Sequence, residues 1–194
     1  MLDLTKQLTL NWCDLISVSD LEYSENSKSG IYIWGFRIDK DFIPYYLGIA
    51  ENIMLRIHQH INSIIGGRYT ILHLNSLANF VDYKDYKNIQ YEMNKGVLYI
   101  PDWPYGFKYF LDHRKALQPH IDFMVDTFTF SFASVDANLI SKQDLKEIEK
   151  ICFNQIGKET LVNKRAGYSD KFFIKHNGNP TIAKKFKTTN SKTQ

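Results

Sequence analysis

The sequence predicts an α/β (α+β) domain, and three observations predict it. Two runs rich in β-branched and aromatic residues, GIYIWGF at 30–36 and IPYYLGI at 43–49, are separated by a short polar stretch and read as a strand pair. The segment 52–65 follows them directly, carries a one-sided apolar stripe and reads as an amphipathic helix. Further on, FMVDTFTFSFASV at 123–135 has the composition of a long strand, and SKQDLKEIEKICFNQIG at 141–157 has the pattern of a helix.

The chain has 194 residues, 44% of them hydrophobic, which is enough for one sizeable core. One domain is expected over 1–175, followed by a basic tail at 176–194. The opening MLDLTKQLTLNW has neither the basic start nor the long apolar run of a signal peptide, and no membrane span is expected. Cys13 and Cys152 lie far apart without metal-type spacing, so a reduced, cytoplasmic chain with buried thiols is expected. The net charge of +3 is unevenly placed: residues 163–194 hold eight basic side chains against one acid, so the rest of the chain is net acidic. A basic end on a mildly acidic body suits a polyanionic partner.

Taken in order, residues 4–22 read as a helix, because Leu8, Trp12, Leu15 and Ile16 fall at helical spacing. SENSKSG at 24–30 is a turn-rich lead-in, and the two strands after it most simply form a hairpin. In the helix at 52–65, Asn52 is a plausible N-cap and Met54, Ile57, Ile61, Ile64 and Ile65 form the stripe. Arg56 and His60 run along the edge of that stripe, four residues apart, so their heads are neighbours. In the later helix, Ser141 with Asp144 resembles a capping box and Gly157 suits a helix stop. Its apolar face is set by Leu145, Ile148, Cys152 and Ile156. Glu149 falls about 50° from the centre of that face, within reach of a cleft beside the core, whereas Glu147 falls on the far side.

These residues resemble the GIY-YIG nucleases. GIY is literal at 30–32, and YIG appears as YLG at 46–48. The family places an arginine and a histidine on the following helix, where Arg56 and His60 stand, then a glutamate on a later helix and an asparagine about a dozen residues beyond it, matched by Glu149 and Asn163. The core similarity covers about 25–67 and 120–168. The two tyrosines are slightly further apart than in the family, and the stretch between His60 and Glu149 is longer than in its minimal members. The resemblance therefore implies a small three-stranded antiparallel sheet flanked by helices, with residues 66–118 as an insertion before the third strand.

It also implies an endonuclease that hydrolyses phosphodiester bonds in DNA with Mg2+ or Mn2+, of restriction or phage-defence type. Tyr32 matches the tyrosine beside the attacking water, read in the family as the general base. Arg56 offers a fork of donors to phosphate oxygens. Tyr46 and His60 orient water or phosphate, Glu149 is the metal ligand, and Asn163 ties the cleft together. A free tyrosine titrates near 10, so nearby cations would have to help deprotonate Tyr32. Alternatives stay open: an RNA-cleaving or structure-specific repair nuclease, or a nucleic-acid binding module without turnover. The oligomeric state is open too, a homodimer included.

The insertion interleaves aromatic residues (Tyr69, Tyr99, Trp103, Tyr105 and Tyr109 among them) with Lys84, Lys87, Lys95, Lys108, Arg114 and Lys115. Basic residues among aromatics suit phosphate contact with base stacking; the competing reading is a second small core. Pro101 and Pro104 bracket Trp103, which places it at a loop tip. Trp103, Lys108, Arg56, Lys164 and Arg165 are the expected nucleic-acid contacts.

Overall fold

The computed structural model describes residues 6–21, 28–75, 96–102, 104–136, 138–156, 161, 169, 171–183 and 185–186. These build a mixed α/β fold. The strands are β1 (Lys6–Trp12), β2 (Ile16–Ser17), β3 (Gly30–Ile38), β4 (Asp41–Ala50), β5 (Ile71–Leu72), β6 (Val97–Tyr99), β7 (Phe128–Ser134) and β8 (Phe172–Gly178). The helices are α1 (Ile53–Ile65), α2 (Gly106–Asp126), α3 (Lys142–Ile156) and the one-turn α4 (Pro180–Ala183).

The main sheet runs β4-β3-β7-β1-β8, with β2 paired to β7, and β5-β6 form a separate small ladder. β4, β3 and β7 are antiparallel to their neighbours, so the expected hairpin is present and β7 lies against its β3 edge. The sheet is larger than the three strands expected. β1 and β8 extend it as a parallel pair, in register from Lys6 opposite Phe172 to Trp12 opposite Gly178.

The helix expected at 4–22 is not formed; β1, β2 and a single 3-10 turn occupy the described part of that segment. A four-residue step from Leu8 to Trp12 fits a helical turn and a strand equally. The decisive pattern is the two-residue one: Leu10 and Trp12 are buried, while Thr9 and Asn11 face outward. The strand expected at 123–135 is shorter as well, since α2 continues to Asp126 and β7 begins at Phe128.

Alternation along β3 separates two cores. Tyr32, Trp34 and Phe36 join Ile57, Ile61, Ile64 and Phe128 under α1 and α2. Ile31 and Ile33 join Leu47, Leu145, Ile148 and Cys152 under α3. The described residues of the 66–118 segment make no second small core: Ile71, Leu72, Tyr99, Phe110 and Leu117 belong to the Tyr32 and Trp34 cluster. α2 carries them there by packing on α1 and β5.

Local signals fix the helices. The Asn52 side chain accepts from the Leu55 N–H at 2.9 Å, capping α1. Ser141 and Asp144 form a reciprocal capping box before α3: the Asp144 N–H donates to Ser141 Oγ at 3.1 Å and the Ser141 N–H donates to Asp144 Oδ2 at 3.2 Å. Cys13 is a half-buried free thiol and Cys152 a buried one. Among the described residues no helix is long and apolar enough to cross a membrane.

Candidate active site

The hairpin places the two motif tyrosines side by side. Trp34 pairs with Tyr46 and Gly35 with Pro44, so the register shifts there and Tyr45 is the extra residue of a β-bulge. Pro44 has no N–H to give the ladder, and a bulge on the edge strand β4 tolerates it. The bulge turns Tyr45 and Tyr46 to the same side, against the Tyr32 and Trp34 cluster. The Tyr32 and Tyr46 rings then stack at 6.1 Å and 14°. Gly48, opposite Tyr32 in the ladder, makes room for them: a Cβ there would lie 2.7 Å from both the Tyr32 hydroxyl and the Tyr46 ring.

α1 brings His60 onto this pair. His60 is 1% exposed, deeper than its place at the edge of the apolar stripe suggested. Its Nε2 lies 2.8 Å from the Tyr32 hydroxyl. Its Nδ1 lies 2.6 Å from the hydroxyl of Tyr69. Both ring nitrogens are therefore engaged, each by a phenol. Trp34 backs the group, with its ring centroid 5.5 Å from His60 and 6.0 Å from Tyr46 and Tyr69.

Arg56 closes one side. It is half-buried, one of its guanidinium nitrogens donates to Gln59 Oε1 at 3.0 Å, and the guanidinium interacts with the hydroxyls of Tyr32 and Tyr46. Beside it lies an open cleft of about 340 Å3, lined by Glu51 and Asn52 just before α1, Leu55, Arg56 and Gln59 on it, Ile49 and Ala50 from β4, and Lys142 and Leu145 from α3.

The electrostatics follow from burial. Burial, reinforced by Tyr46, pushes the Tyr32 hydroxyl well above the usual phenol range, and Arg56 pulls it back. Burial lowers His60 to about 3, with Arg56 adding to the effect, so the imidazole is neutral at ordinary pH. Tyr69 is raised to about 12, again chiefly by burial. A neutral histidine between two protonated phenols is the resting arrangement.

Comparison with protein-family models, with curated proteins and with solved structures finds no match.

Glu149 is 1% exposed. It lies within the buried stripe of α3 because a stripe about 100° wide reaches some 50° to each side of its centre. α3 packs on β3, β4 and β8, and its core side chains belong to the face of β3 opposite Tyr32. Glu149 follows Leu145, a wall residue of the cleft, by one turn, and its charge reaches the Cys152 thiol, which burial and then Glu149 push up. Among the described residues no three His, Cys, Asp or Glu side chains converge. Mg2+ accepts a single carboxylate when waters and phosphate oxygens complete its shell, and with Glu149 1% exposed such an ion would have to reach it past the cleft wall at Leu145.

The expected site residues thus fall into three groups. Tyr32, Tyr46, Arg56 and His60 meet in one cluster. Glu149 is buried on α3, and Lys108 is exposed on α2, ion-paired with Asp112. Trp103, Asn163, Lys164 and Arg165 lie outside the described residues, as do Lys84, Lys87 and Lys95. Tyr69 and Trp34 are the residues that motif reasoning missed. Trp34 sits two residues after Tyr32, so strand periodicity places it on the same face. Tyr69 follows the Gly66-Gly67 pair that ends α1, and a chain reversal there is the signal that could have found it.

Proposed function

We propose that this chain is a GIY-YIG-type endonuclease that hydrolyses phosphodiester bonds in DNA, of restriction or defence type, using Mg2+ or Mn2+. The observation that carries the reading is the hydrogen bond between Tyr32 and a neutral, buried His60, with Arg56 facing the same hydroxyl. A phenol can serve as general base only if its own proton has somewhere to go as it takes one from water. With the ring proton of neutral His60 on Nδ1, Nε2 is such an acceptor at 2.8 Å. Arg56, which lowers the cost of negative charge on Tyr32, also carries a planar fork suited to two phosphate oxygens.

In this mechanism the nucleic-acid backbone lies along the cleft beside Arg56, and the scissile phosphate meets the guanidinium. Tyr32 takes the proton of the attacking water and passes its own to His60. Tyr46, stacked on Tyr32, holds the phenol ring against rotation and contributes a second hydroxyl to the phosphate side. Glu149 would hold the divalent ion, which supplies Lewis-acid stabilisation of charge on the phosphate and the leaving oxygen. The basic residues of 163–194 favour a polyanionic substrate.

The test is direct. Supercoiled plasmid, single-stranded DNA and RNA are each incubated with the full chain, with Mg2+, with Mn2+ and with chelator. Cleavage of DNA only when the metal is present is expected. RNA cut in preference to DNA moves the reading to an RNA-cleaving enzyme, and no cleavage of any substrate under any condition overturns it.

A further inference from the structure

We propose that Tyr69 is the outlet of a proton wire that runs from Tyr32 through His60 to the protein surface. The inference rests on the nuclease reading above and adds to it a residue outside the motif. The two nitrogens of one imidazole are held by two phenols, Tyr32 at 2.8 Å on Nε2 and Tyr69 at 2.6 Å on Nδ1. A neutral imidazole carries one N–H, so one nitrogen donates and the other accepts. If Nε2 is to take the proton of Tyr32, Nδ1 must carry the ring proton, and the Tyr69 oxygen is its acceptor. A phenol can donate or accept, so Tyr69 permits the tautomer that the base step needs and, as acceptor from Nδ1, forms the next link of the wire.

The two ends of the wire differ. Tyr32 is 1% exposed, whereas Tyr69 is half-buried. Burial raises both phenols but raises Tyr69 only to about 12, below Tyr32. The titratable and charged groups that face His60 are Tyr32 on β3, Tyr46 on β4, Arg56 on α1, and Tyr69. Among the described residues none is a carboxylate, so these groups offer no anion to trap a proton on the ring.

The water oxygen forms its bond to phosphorus while one water proton passes to the Tyr32 oxygen. The Tyr32 proton passes to His60 Nε2, the Nδ1 proton passes to the Tyr69 oxygen, and the original hydroxyl proton of Tyr69 leaves to solvent. The bond from phosphorus to the leaving oxygen breaks, and that oxygen takes a proton from solvent. His60 and both tyrosines are neutral before and after. The wire is left with reversed polarity, and the ring proton and hydroxyls turn back before the next cycle.

The test compares the full chain, Tyr69→Phe and a chain with 3-fluorotyrosine at position 69, using supercoiled plasmid in Mg2+. Tyr69→Phe keeps the ring and should lower kcat roughly 10²-fold or less, with KM little changed. The fluorinated chain, nearly isosteric but with a more acidic phenol, should shift the pH profile of kcat to lower pH. Nitrogen-15 spectra of the His60 ring should show the proton on Nδ1 in the wild type and a changed tautomer balance in Tyr69→Phe. Wild-type kcat in Tyr69→Phe overturns the proposal. So does a kcat loss with no shift of the pH profile in the fluorinated chain, which would mean packing alone. If the wild-type chain cuts nothing, the nuclease reading fails by itself. The ring spectra still decide about Tyr69, and an unchanged tautomer in Tyr69→Phe sinks its role.

Discussion

The Tyr32 hydroxyl lies 2.8 Å from Nε2 of His60, and both side chains are 1% exposed. A hydrogen bond between two groups shut away from water makes each dependent on the other, because a buried polar atom left unpaired costs about 1–3 kcal/mol.

Tyr32→Phe removes the hydroxyl and keeps the ring. Cleavage should fall by roughly 10²–10⁴ if the hydroxyl is the base. Stability should fall too, by about 1–3 kcal/mol, because His60 Nε2 loses its partner. Steady-state kinetics and thermal denaturation of the same preparation separate the two effects. A stability loss with undiminished cleavage would make the tyrosine purely structural.

Acid should destabilise the protein in a defined window. His60 is lowered to about 3 and His176 to about 4, both by burial. The His176 ring accepts from Trp12 Nε1 at 3.0 Å and its Nε2 lies 2.8 Å from Gln155 Oε1, so it ties β8 to β1 and α3 as a neutral ring. Both folded values lie below the unfolded value near 6.5. The unfolded chain therefore binds protons first as pH falls. Stability from the neutral rings is fully present above about pH 6.5 and is lost toward pH 3, at about 1.4 kcal/mol per histidine for each pH unit crossed. Denaturant melts from pH 7 to pH 4 would show it. A midpoint that stays flat over that range for wild type and matches His176→Gln would exclude the linkage.

Much of this site was legible in the sequence, and the failures have physical causes. GIY and YLG marked the hairpin, and the spacing of Arg56 and His60 marked one side of α1. What the spacing could not show was the bulge at Tyr45, which turns two successive tyrosines to one face and breaks the alternation on which strand reading depends. The strand β1 was misread because Leu8 and Trp12 satisfy a helical and an extended period together. Its extended form is settled by pairing with β8, about 165 residues away in sequence, and such a partner is invisible to a local pattern. Tyr69 was counted as one aromatic among many, since its role depends on where the chain turns after α1.

Arg56→Lys should be severely impaired in cleavage with little change in fold. Lysine keeps the charge but not the fork that can reach Gln59, the two tyrosine hydroxyls and a phosphate. Losses of kcat with an intact melting curve are expected. Cleavage equal to wild type would mean that the position supplies only general positive charge.

Gly67→Ala tests the turn that returns the chain to His60. Gly67 has φ of +65°, and a Cβ there would come within 2.5 Å of the Phe110 ring. The left-handed conformation costs an alanine about 1–2 kcal/mol, and the clash with a core ring adds to it. The Tyr99 hydroxyl also donates to the Gly67 carbonyl at 2.7 Å, so the turn cannot shift without breaking a buried bond. Lower thermal stability together with a changed His60 ring spectrum is the expected result. A wild-type melting curve would show that the turn is softer than its packing implies.

Glu149→Gln is the sharpest test of the metal. The amide is nearly isosteric with the carboxylate and can keep neutral hydrogen bonds, so the helix should stay folded. Glu149 shares the buried stripe of α3 with Ile148 and Cys152, and the Cys152 thiol is pushed up partly by its charge. Removing that charge should therefore leave stability equal or higher, since a buried carboxylate is costly to keep ionised. If Glu149 holds the divalent ion, the variant should bind DNA in chelator as wild type does, yet fail to cleave at any Mg2+ concentration. The wild-type protein should also gain thermal stability as Mg2+ is added, and the variant should not. The two readouts separate the alternatives. A variant that cleaves normally in Mg2+ excludes Glu149 as the metal ligand. A variant that loses cleavage but keeps the Mg2+-dependent rise in melting temperature would place the ion elsewhere and give Glu149 a role in shaping the cleft wall that begins at Leu145.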